Sequence, residues 1–349
     1  MRSSYSSEDV KLLLKDISGL VKPQSTQERE KLIQSGKHYS EMLPIEYVPS
    51  EKYMRVYKEA LINYSKPVAN AVGLLSDKIV KARGRDFVLV SLARAGIPIG
   101  ILIKRYLKYK YKTDVPHYSI SIIRGRGIDE NAMRYLLERY EAKKLLFVDG
   151  WIGKGAILNE LKKVLEKYEG VSSEIAVIAD PANVTKLCGT HEDILIPSSC
   201  LKSTVSGLVS RTFLRSDIIG ANDFHGAVYY SELESSDLSY DFIRQIEDRF
   251  EIENKDDEKY IEGRGIDEVE KIAKDFNVKD INFIKPGIGE ATRVLLRRLP
   301  WKILIDERYK YDAQLGHLVR LAKEKDVPIE YYPLLHYKCC GIIKDISDV

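Results

Sequence analysis

The chain has 349 residues, of which 44% are hydrophobic and 31% are charged, and its formal net charge at pH 7 is only +3. This length and apolar content predict about two globular domains with real cores. Proteins that bind nucleic acid through their overall charge are usually more basic, so the sequence pI near 8.4 does not indicate that class. Any anion-binding site must therefore be local.

The four cysteines, Cys188, Cys200, Cys339 and Cys340, form no C-x-x-C pair. This spacing argues against a structural zinc site, and so few cysteines in so long a chain argue against a disulfide framework. The N-terminus is polar and charged, unlike a signal peptide, and no run reaches the ~20 apolar residues of a membrane span. We expect a soluble cytoplasmic protein with no membrane partner.

The first 50 residues predict a polar N-terminal extension with an amphipathic helix at 10–20. Apolar residues then recur at helical spacing over 53–81, which predicts one or two helices. A short apolar run at 87–90 has the composition of a strand that is covered on both faces. A loop of small residues and a helix at 98–109 follow it.

The strand–loop–helix unit is then repeated along the chain. Further strands are predicted at 117–123, 144–149, 173–179 and 193–196, and helices at 132–140 and 156–168. Strands that alternate with helices predict an α/β fold with a doubly wound, mostly parallel sheet, covered by helices on both faces. We assign residues 51–250 to this domain.

A charged segment without apolar runs, 251–266, predicts a linker to a second, smaller α/β domain at 267–349. Within that domain, helices are predicted at 267–276, 290–298 and 313–324, and strands at 281–284, 302–305 and 329–332. Open parallel sheets bind ligands beyond the carboxyl ends of their strands, so three such ends in the first domain are candidate sites.

The first of these ends is the apolar strand 144–149, which places Asp149 at its tip. The loop and helix start that follow contain the candidate ligand-binding residues Gly150, Trp151, Ile152, Gly153, Lys154, Gly155 and Ala156. Glycines let backbone amides turn toward a phosphate at a helix N-terminus, and the acid can accept hydrogen bonds from sugar hydroxyls. A tight turn with a surface lysine is the open alternative.

The second end carries the small-residue loop Ser91, Ala93, Arg94, Ala95 and Gly96, in which Arg94 offers a fork suited to pyrophosphate oxygens. The third end carries Arg124, Arg126 and Asp129 on a glycine-flanked loop that could close over an anion. A helix-capping loop with a solvated arginine and a solvated basic turn are the corresponding alternatives.

Together the three segments resemble type I phosphoribosyltransferases over roughly residues 50–230. The resemblance implies that residues 153–156 bind the 5-phosphate of phosphoribosyl pyrophosphate (PRPP), and that Asp149 holds the ribose hydroxyls. It further implies that arginines of the other two loops bind pyrophosphate with Mg²⁺, which has no direct protein ligand. The family usually carries two adjacent acids at the strand tip, whereas Gly150 follows Asp149 here.

Segments 122–129, 196–211 and 219–226 resemble the tellurite- and stress-resistance branch of these proteins, some members of which are labelled "cysteine protease StiP". The candidate residues for recognition of a base or nucleoside-like acceptor are Ser203, Thr204, Ser206, Arg211, Asn222, Asp223 and His225. Two alternatives stay open. One is a cysteine hydrolase that uses Cys200 with His191 or His225. The other is a non-catalytic nucleotide sensor.

The C-terminal unit resembles the Pelota/kink-turn RNA-binding fold through its glycine turn and the helix that follows. The resemblance implies RNA contacts from Gly287, Gly289, Glu290, Arg293 and Arg297. A structural or dimerising domain is the alternative, which leaves a homodimer open.

Overall fold

A computed structural model of the protein describes residues 1–256 and 261–344. Part of the predicted linker 251–266 and the end of the predicted 267–349 domain therefore lie outside the described residues. The strands are β1 (Lys11–Leu12), β2 (Lys15–Asp16), β3 (Val88–Leu92), β4 (His117–Ile120), β5 (Ile122–Ile123), β6 (Gly127–Ile128), β7 (Leu145–Trp151), β8 (Ile175–Ala179), β9 (Cys188–Thr190), β10 (Gly226–Ala227), β11 (Ile284–Pro286), β12 (Pro300–Ile305), β13 (Ile329–Tyr331) and β14 (Cys339–Ile343). The helices are α1 (Thr26–Gln34), α2 (Glu51–Arg83), α3 (Gly96–Tyr111), α4 (Glu130–Leu137), α5 (Ala156–Leu165), α6 (Ser239–Glu247), α7 (Gly265–Asp275), α8 (Ile288–Arg297) and α9 (Gly316–Glu324).

The first domain is built on a six-stranded sheet with the order β1-β4-β3-β7-β8-β9, and every pair of neighbours is parallel. The strand order reverses between β3 and β7, because β4 lies outside β3 whereas β8 and β9 continue beyond β7. The crevice at such a switch point is where open α/β sheets bind ligands. The predicted doubly wound parallel sheet is confirmed.

Side chains of the central strands alternate between two apolar layers. Leu89 faces the layer that contains α2, α3 and α6, whereas Val88 and Val90 face the layer that contains α4 and α5. This alternation follows from the two-residue period of a strand, and both faces are buried because helices cover both. The uninterrupted apolar runs of the sequence have the same cause.

The second domain is a four-stranded sheet with the order β11-β14-β12-β13, in which only the β12–β13 pair is parallel. Helix α7 packs on one face, in a small apolar cluster that includes Val269 and Leu304. The other face, with Leu295 and Leu318 of α8 and α9, joins the same apolar cluster as Tyr64 of α2. The two domains therefore share a continuous core.

The structure differs from the sequence-based expectation at several elements. The predicted helix at 10–20 is wrong: this segment forms β1 and β2, which add to β4 and β10 through backbone hydrogen bonds. The predicted strand at 193–196 is also wrong, since this segment is irregular and leads into a short 3-10 helix at Pro197–Cys200. No helix in the described ranges is both long and apolar enough to cross a membrane.

Candidate ligand site between the domains

A cavity of about 380 Å³ lies at the carboxyl ends of β3 and β7, where the strand order of the sheet reverses. The first domain contributes the loop after β3, Arg124, and the segment from the end of β7 into α5. The second domain contributes the opposite wall, with Asn282, Lys285, Pro286, Glu290 and Arg293. The site therefore belongs to both domains.

Asp149 lies near the end of β7 and faces this cavity. Its carboxylate accepts a 2.7 Å hydrogen bond from the backbone amide of Gly150. Burial raises the pKa of Asp149 to about 6, although that amide and the charge of Arg293 both act to lower it. The carboxyl group is thus only partly compensated, and partners such as sugar hydroxyls would complete its hydrogen bonding.

The loop from Ile152 to Gly155 follows β7 and leads directly into α5, whose N-cap residue, Gly155, has no side chain to cap the helix. Gly155 has φ of +87°, in the left-handed region that favours glycine, and it begins the helix there. An uncapped N-terminus leaves backbone amides for an anion. Lys154 donates a 2.7 Å hydrogen bond to the Ile281 carbonyl, and burial together with the nearby Lys285 lowers the pKa of Lys154 to about 8.

The loop after β3 brings Ala93, Arg94 and Ala95 into the cavity wall. Gly96 makes this approach possible, because a Cβ at that position would lie only 2.3 Å from the Val148 carbonyl oxygen of β7. Arg94 donates a 2.8 Å hydrogen bond to the Val209 carbonyl, which fixes the direction of its guanidinium. The predicted pyrophosphate loop therefore lies beside the predicted ribose-phosphate loop.

Only one of the two arginines on the glycine-flanked loop, Arg124 and Arg126, faces the cavity. Arg124 lines it and donates a 3.4 Å hydrogen bond to the Asn282 side chain across the domain boundary. Arg126 instead forms an ion pair with Glu41, and Asp129 caps α4 by accepting a 2.9 Å hydrogen bond from the Ala132 amide. The geometry gives Arg126 and Asp129 structural partners outside the cavity.

The residues predicted to contact RNA lie at the interface between the domains. The guanidinium of Arg293 lies 4.4 Å above the ring of Trp151 and pairs with Glu290 at 3.0 Å. Arg297 donates hydrogen bonds of 3.0 Å to the carbonyls of both Cys200 and Leu201. Of the residues predicted to contact RNA, Arg297 is thus engaged by the first domain, whereas Glu290 and Arg293 line the cavity.

The two glycines of this turn pack against the first domain as well. A Cβ at Gly287 would lie 3.0 Å from a carboxylate oxygen of Asp193, and one at Gly289 would lie 3.6 Å from the Ser199 hydroxyl. The glycines therefore permit close domain contact, which is a packing role that differs from the predicted RNA contact.

The cavity wall carries a surplus of positive charge. Its cationic side chains are Arg94, Arg124, Lys154, Lys285 and Arg293, against two acids, Asp149 and Glu290. Burial also lowers the pKa of Lys285. A cavity with this imbalance favours an anionic ligand of several charges.

The remaining predicted ligand-binding residues do not line the cavity. Ser91 forms a 2.7 Å hydrogen bond with His117, and Gly150 is enclosed beside Ala95. The residues predicted to recognise the acceptor are spread over buried and surface positions. Ser206 donates a hydrogen bond to the Lys202 carbonyl, and Arg211 donates to the carbonyls of Tyr39 and Met42. Asp223 pairs with Lys15, His225 forms a hydrogen bond with Ser121, Ser203 and Thr204 are buried, and Asn222 is exposed. The structure therefore gives no single acceptor pocket from these residues.

Cys200, the candidate nucleophile, is fully buried in the shared core. Burial raises the pKa of its thiol to about 12, although Arg297 and Arg293 act to lower it. Within the described ranges, neither His225 nor His191 is bonded to this thiol, since His225 contacts Ser121 and His191 contacts Cys188. A thiol in this state is a poor nucleophile.

Sequence reasoning did not find three of the residues that the second domain contributes to the cavity wall, Asn282, Lys285 and Pro286. They come from a domain that is more than 100 residues distant along the chain, and only the docked arrangement brings them to Asp149. The Pro286–Gly287 turn was the one available signal, and it indicated an RNA-binding loop.

Asp193 holds the two domains together at the base of the site. Its two carboxylate oxygens accept 2.9 Å hydrogen bonds from the backbone amides of Ile288 and Lys338, and the side chain is buried. We expect Asp193→Ala to lower the free energy of unfolding by about 2–4 kcal/mol, because it leaves two buried amides without acceptors. Urea unfolding followed by the fluorescence of the two tryptophans, Trp151 and Trp301, measures this loss.

Asp217→Ala is the matched control for that experiment, because Asp217 is exposed and pairs only locally with Arg215. It should change the unfolding free energy by less than about 0.5 kcal/mol. Equal effects of the two substitutions would contradict the anchoring role of Asp193.

Comparison with known proteins assigns each domain to a family. Residues 3–247 match the family model described as "Tellurite-like stress resistance cysteine protease StiP". The curated "Cysteine protease StiP" of Acinetobacter baylyi is 35% identical over 341 residues, which cover 92% of this chain and 88% of that protein. The chain belongs to the StiP family. Residues 263–345 match the PELOTA RNA binding domain. The resemblances to the StiP branch and to the Pelota fold that the sequence predicted are therefore confirmed.

Solved structures similar to this StiP-family chain include phosphoribosyltransferases. A hypoxanthine-guanine phosphoribosyltransferase of Bacillus anthracis is 16% identical and covers 36% of this chain and 77% of its own, with a TM-score of 0.28. A hypothetical protein of Neisseria gonorrhoeae with bound ppGpp is 15% identical, covering 34% of this chain and 70% of its own, with a TM-score of 0.25.

Proposed function

We propose that the interdomain cavity binds PRPP and that the protein transfers the phosphoribosyl group to a nitrogen atom of a base or nucleoside-like acceptor. The observation that carries the proposal is the convergence of Asp149, the uncapped N-terminus of α5 and Arg94 on one cavity at the switch point of the sheet. These groups are complementary to ribose hydroxyls, a 5-phosphate and a pyrophosphate, respectively.

In this proposal the side chains act mainly by position and charge. Asp149 accepts hydrogen bonds from the ribose hydroxyls, while the amides at the start of α5 hold the 5-phosphate. As the bond from C1 to pyrophosphate breaks, negative charge grows on the leaving group, and Arg94 and Arg124 stabilise that charge. Arg293, held over Trp151, adds a cation from the second domain.

Magnesium fits the oxygen donors that line the cavity. Mg²⁺ usually binds through one or two carboxylates and substrate phosphates, and the wall offers the carboxylates of Asp149 and Glu290. When bound, the ion would neutralise charge on the pyrophosphate. Most of its ligands would come from the substrate and water, consistent with the absence of a dense acidic cluster along this wall.

The test is release of pyrophosphate from PRPP and Mg²⁺ in the presence of a panel of nitrogenous bases. We expect Arg124→Ala to lower the rate by roughly 100-fold, the usual size for one donor that stabilises transition-state charge. Arg126→Ala is the matched control, since Arg126 belongs to the same loop but pairs with Glu41 outside the cavity. Equal losses in both variants would contradict the assignment of Arg124 to pyrophosphate.

The family description makes peptide hydrolysis the second candidate function. Its test is proteolysis of an unfolded protein substrate by the Cys200→Ser and Asp149→Asn variants. A protease centred on Cys200 requires activity to vanish in the first variant and to persist in the second. Because Cys200 is buried, we expect that the two variants will not show this combination of results.

A further inference from the structure

A second group of reactive side chains lies apart from the cavity, along the short strand β9 and at the carboxyl end of β8. Asp180 directly follows β8, Cys188 begins β9, and His191 directly follows β9. The two strands are parallel, with Ala179 paired to Thr190, so their register places Asp180 beside His191. Three chemically different ligand types therefore meet at one edge of the sheet.

The distances between these groups are short. The sulfur of Cys188 lies 3.3 Å from Nε2 of His191, and Nδ1 of His191 lies 2.8 Å from the backbone carbonyl oxygen of Asp180. A carbonyl can only accept, so Nδ1 carries the proton and donates it, which leaves the lone pair on Nε2, the ring nitrogen that is nearer to the sulfur (3.3 Å, against 3.7 Å for Nδ1). One atom from each of the three side chains lies within 4.8 Å of the others.

The carboxylate of Asp180 is fully buried and only half used. One oxygen accepts hydrogen bonds from the amides of Val184 at 2.7 Å and Thr185 at 2.8 Å. The other oxygen, Oδ1, is buried and has no hydrogen-bond partner among the residues that the structure describes. A buried carboxylate oxygen requires a donor or a cation, so the Asp180 carboxylate has capacity for a further partner, and its other oxygen, Oδ2, lies 3.7 Å from Nδ1 of His191.

We propose that Asp180, Cys188 and His191 form a binding site for Zn²⁺ or a similar transition-metal ion. Thiolate and imidazole ligands select such ions over Mg²⁺ and Ca²⁺, which bind oxygen atoms almost exclusively. On binding, the Cys188 thiol loses its proton to solvent, and the metal gains bonds to sulfur, to Nε2 and to the Asp180 carboxylate. A metal-binding histidine is usually oriented by a hydrogen bond from its other ring nitrogen, and here Nδ1 of His191 donates to the backbone carbonyl of Asp180.

The site is placed to affect the contact between the domains. His191 is two residues before Asp193, whose carboxylate accepts the backbone amides of Ile288 and Lys338 in the second domain. A metal ion that ties β9 to the end of β8 would hold this segment in place. The side chain of His191 is 26% exposed, which gives the ion a route from solvent.

The experiment uses the full chain, stripped with a chelator and titrated with Zn²⁺, and with Co²⁺ as a spectroscopic probe. We expect one equivalent to bind, with a thiolate-to-cobalt charge-transfer band and a rise in the melting temperature. Cys188→Ser and His191→Gln should each weaken binding at least tenfold, whereas Cys200→Ser should leave it unchanged. Circular dichroism checks that each variant is folded.

Should Cys188→Ser fail to fold, protection of Cys188 from alkylation in the unsubstituted protein replaces it. Zn²⁺ should slow the modification of that cysteine, mapped by peptide mass, by at least tenfold. The proposal is overturned by a folded protein that binds no stoichiometric metal, by unchanged affinity in His191→Gln, or by alkylation that Zn²⁺ does not affect. The last result would identify a metal-free thiol–imidazole pair.

Discussion

Replacement of Asp149 by asparagine is expected to weaken the binding of PRPP by about 10- to 100-fold. The loss follows from the removal of a charged acceptor for the ribose hydroxyls, since a hydrogen bond to a charged group contributes about 1.5–3 kcal/mol. Isothermal titration calorimetry with PRPP and Mg²⁺ measures the change. Asp217→Asn is the control, because Asp217 is an exposed surface residue that pairs with Arg215.

The same substitution should have the opposite effect on the stability of the ligand-free protein. Burial raises the pKa of Asp149 to about 6 in the folded state, so the charged carboxylate destabilises the fold above that pH. This penalty is absent below the unfolded pKa of about 4 and complete above pH 6. Asp149→Asn should therefore unfold at a higher urea concentration than the unsubstituted protein at pH 7, and the difference should shrink toward pH 4.

A variant that loses both PRPP affinity and stability at pH 7 would contradict this account, because Asp149 would then have a structural role. The combination of weaker binding with equal or greater stability is specific to a residue that is kept charged for its ligand. Measurements at pH 7 and pH 4.5 on the same samples separate the two cases.

Arg297→Ala is expected to lower the free energy of unfolding by about 2–4 kcal/mol. Its guanidinium donates to the carbonyls of Cys200 and Leu201 at 3.0 Å, and its removal leaves these acceptors unpaired between the domains. Urea denaturation measures the loss. Arg298→Ala is the matched control, since Arg298 is the adjacent residue and its side chain is exposed.

The Pelota family makes a different prediction for Arg297. If this side chain served RNA, its substitution would weaken RNA binding and leave stability nearly unchanged. A loss of stability no larger than that of Arg298→Ala would therefore contradict the docking role. A large loss would indicate that the family's RNA-facing helix has become an internal contact in this chain.

The parts of the site that could be predicted from the sequence are those with local causes. An apolar strand that ends in Asp149, a glycine-rich loop and a helix start form one continuous segment, and each residue type there has a direct physical reason. Gly96 is a similar case, because its lack of a side chain is required by the neighbouring strand. Alternating strands and helices likewise determine a parallel sheet with helices on both faces.

The parts that could not be predicted depend on contacts between distant segments. Nothing local to Arg124 and Arg126 indicates that only the first faces the cavity, because Glu41 pairs with the second. The stacking of Arg293 on Trp151 joins residues from different domains. Strands β1 and β2 have two residues each, too few for any periodic pattern, so a helix was predicted where backbone pairing with β4 and β10 prevails.

Calorimetric titration of the full chain with PRPP, with and without Mg²⁺, tests the central claim most directly. The cavity between the domains predicts saturable binding at one site that requires Mg²⁺ and that weakens in both Asp149→Asn and Arg293→Ala, since these residues lie on opposite walls. Absence of saturable heat with Mg²⁺ present, or binding that neither substitution affects, would contradict the assignment of this cavity to a ribose-phosphate ligand.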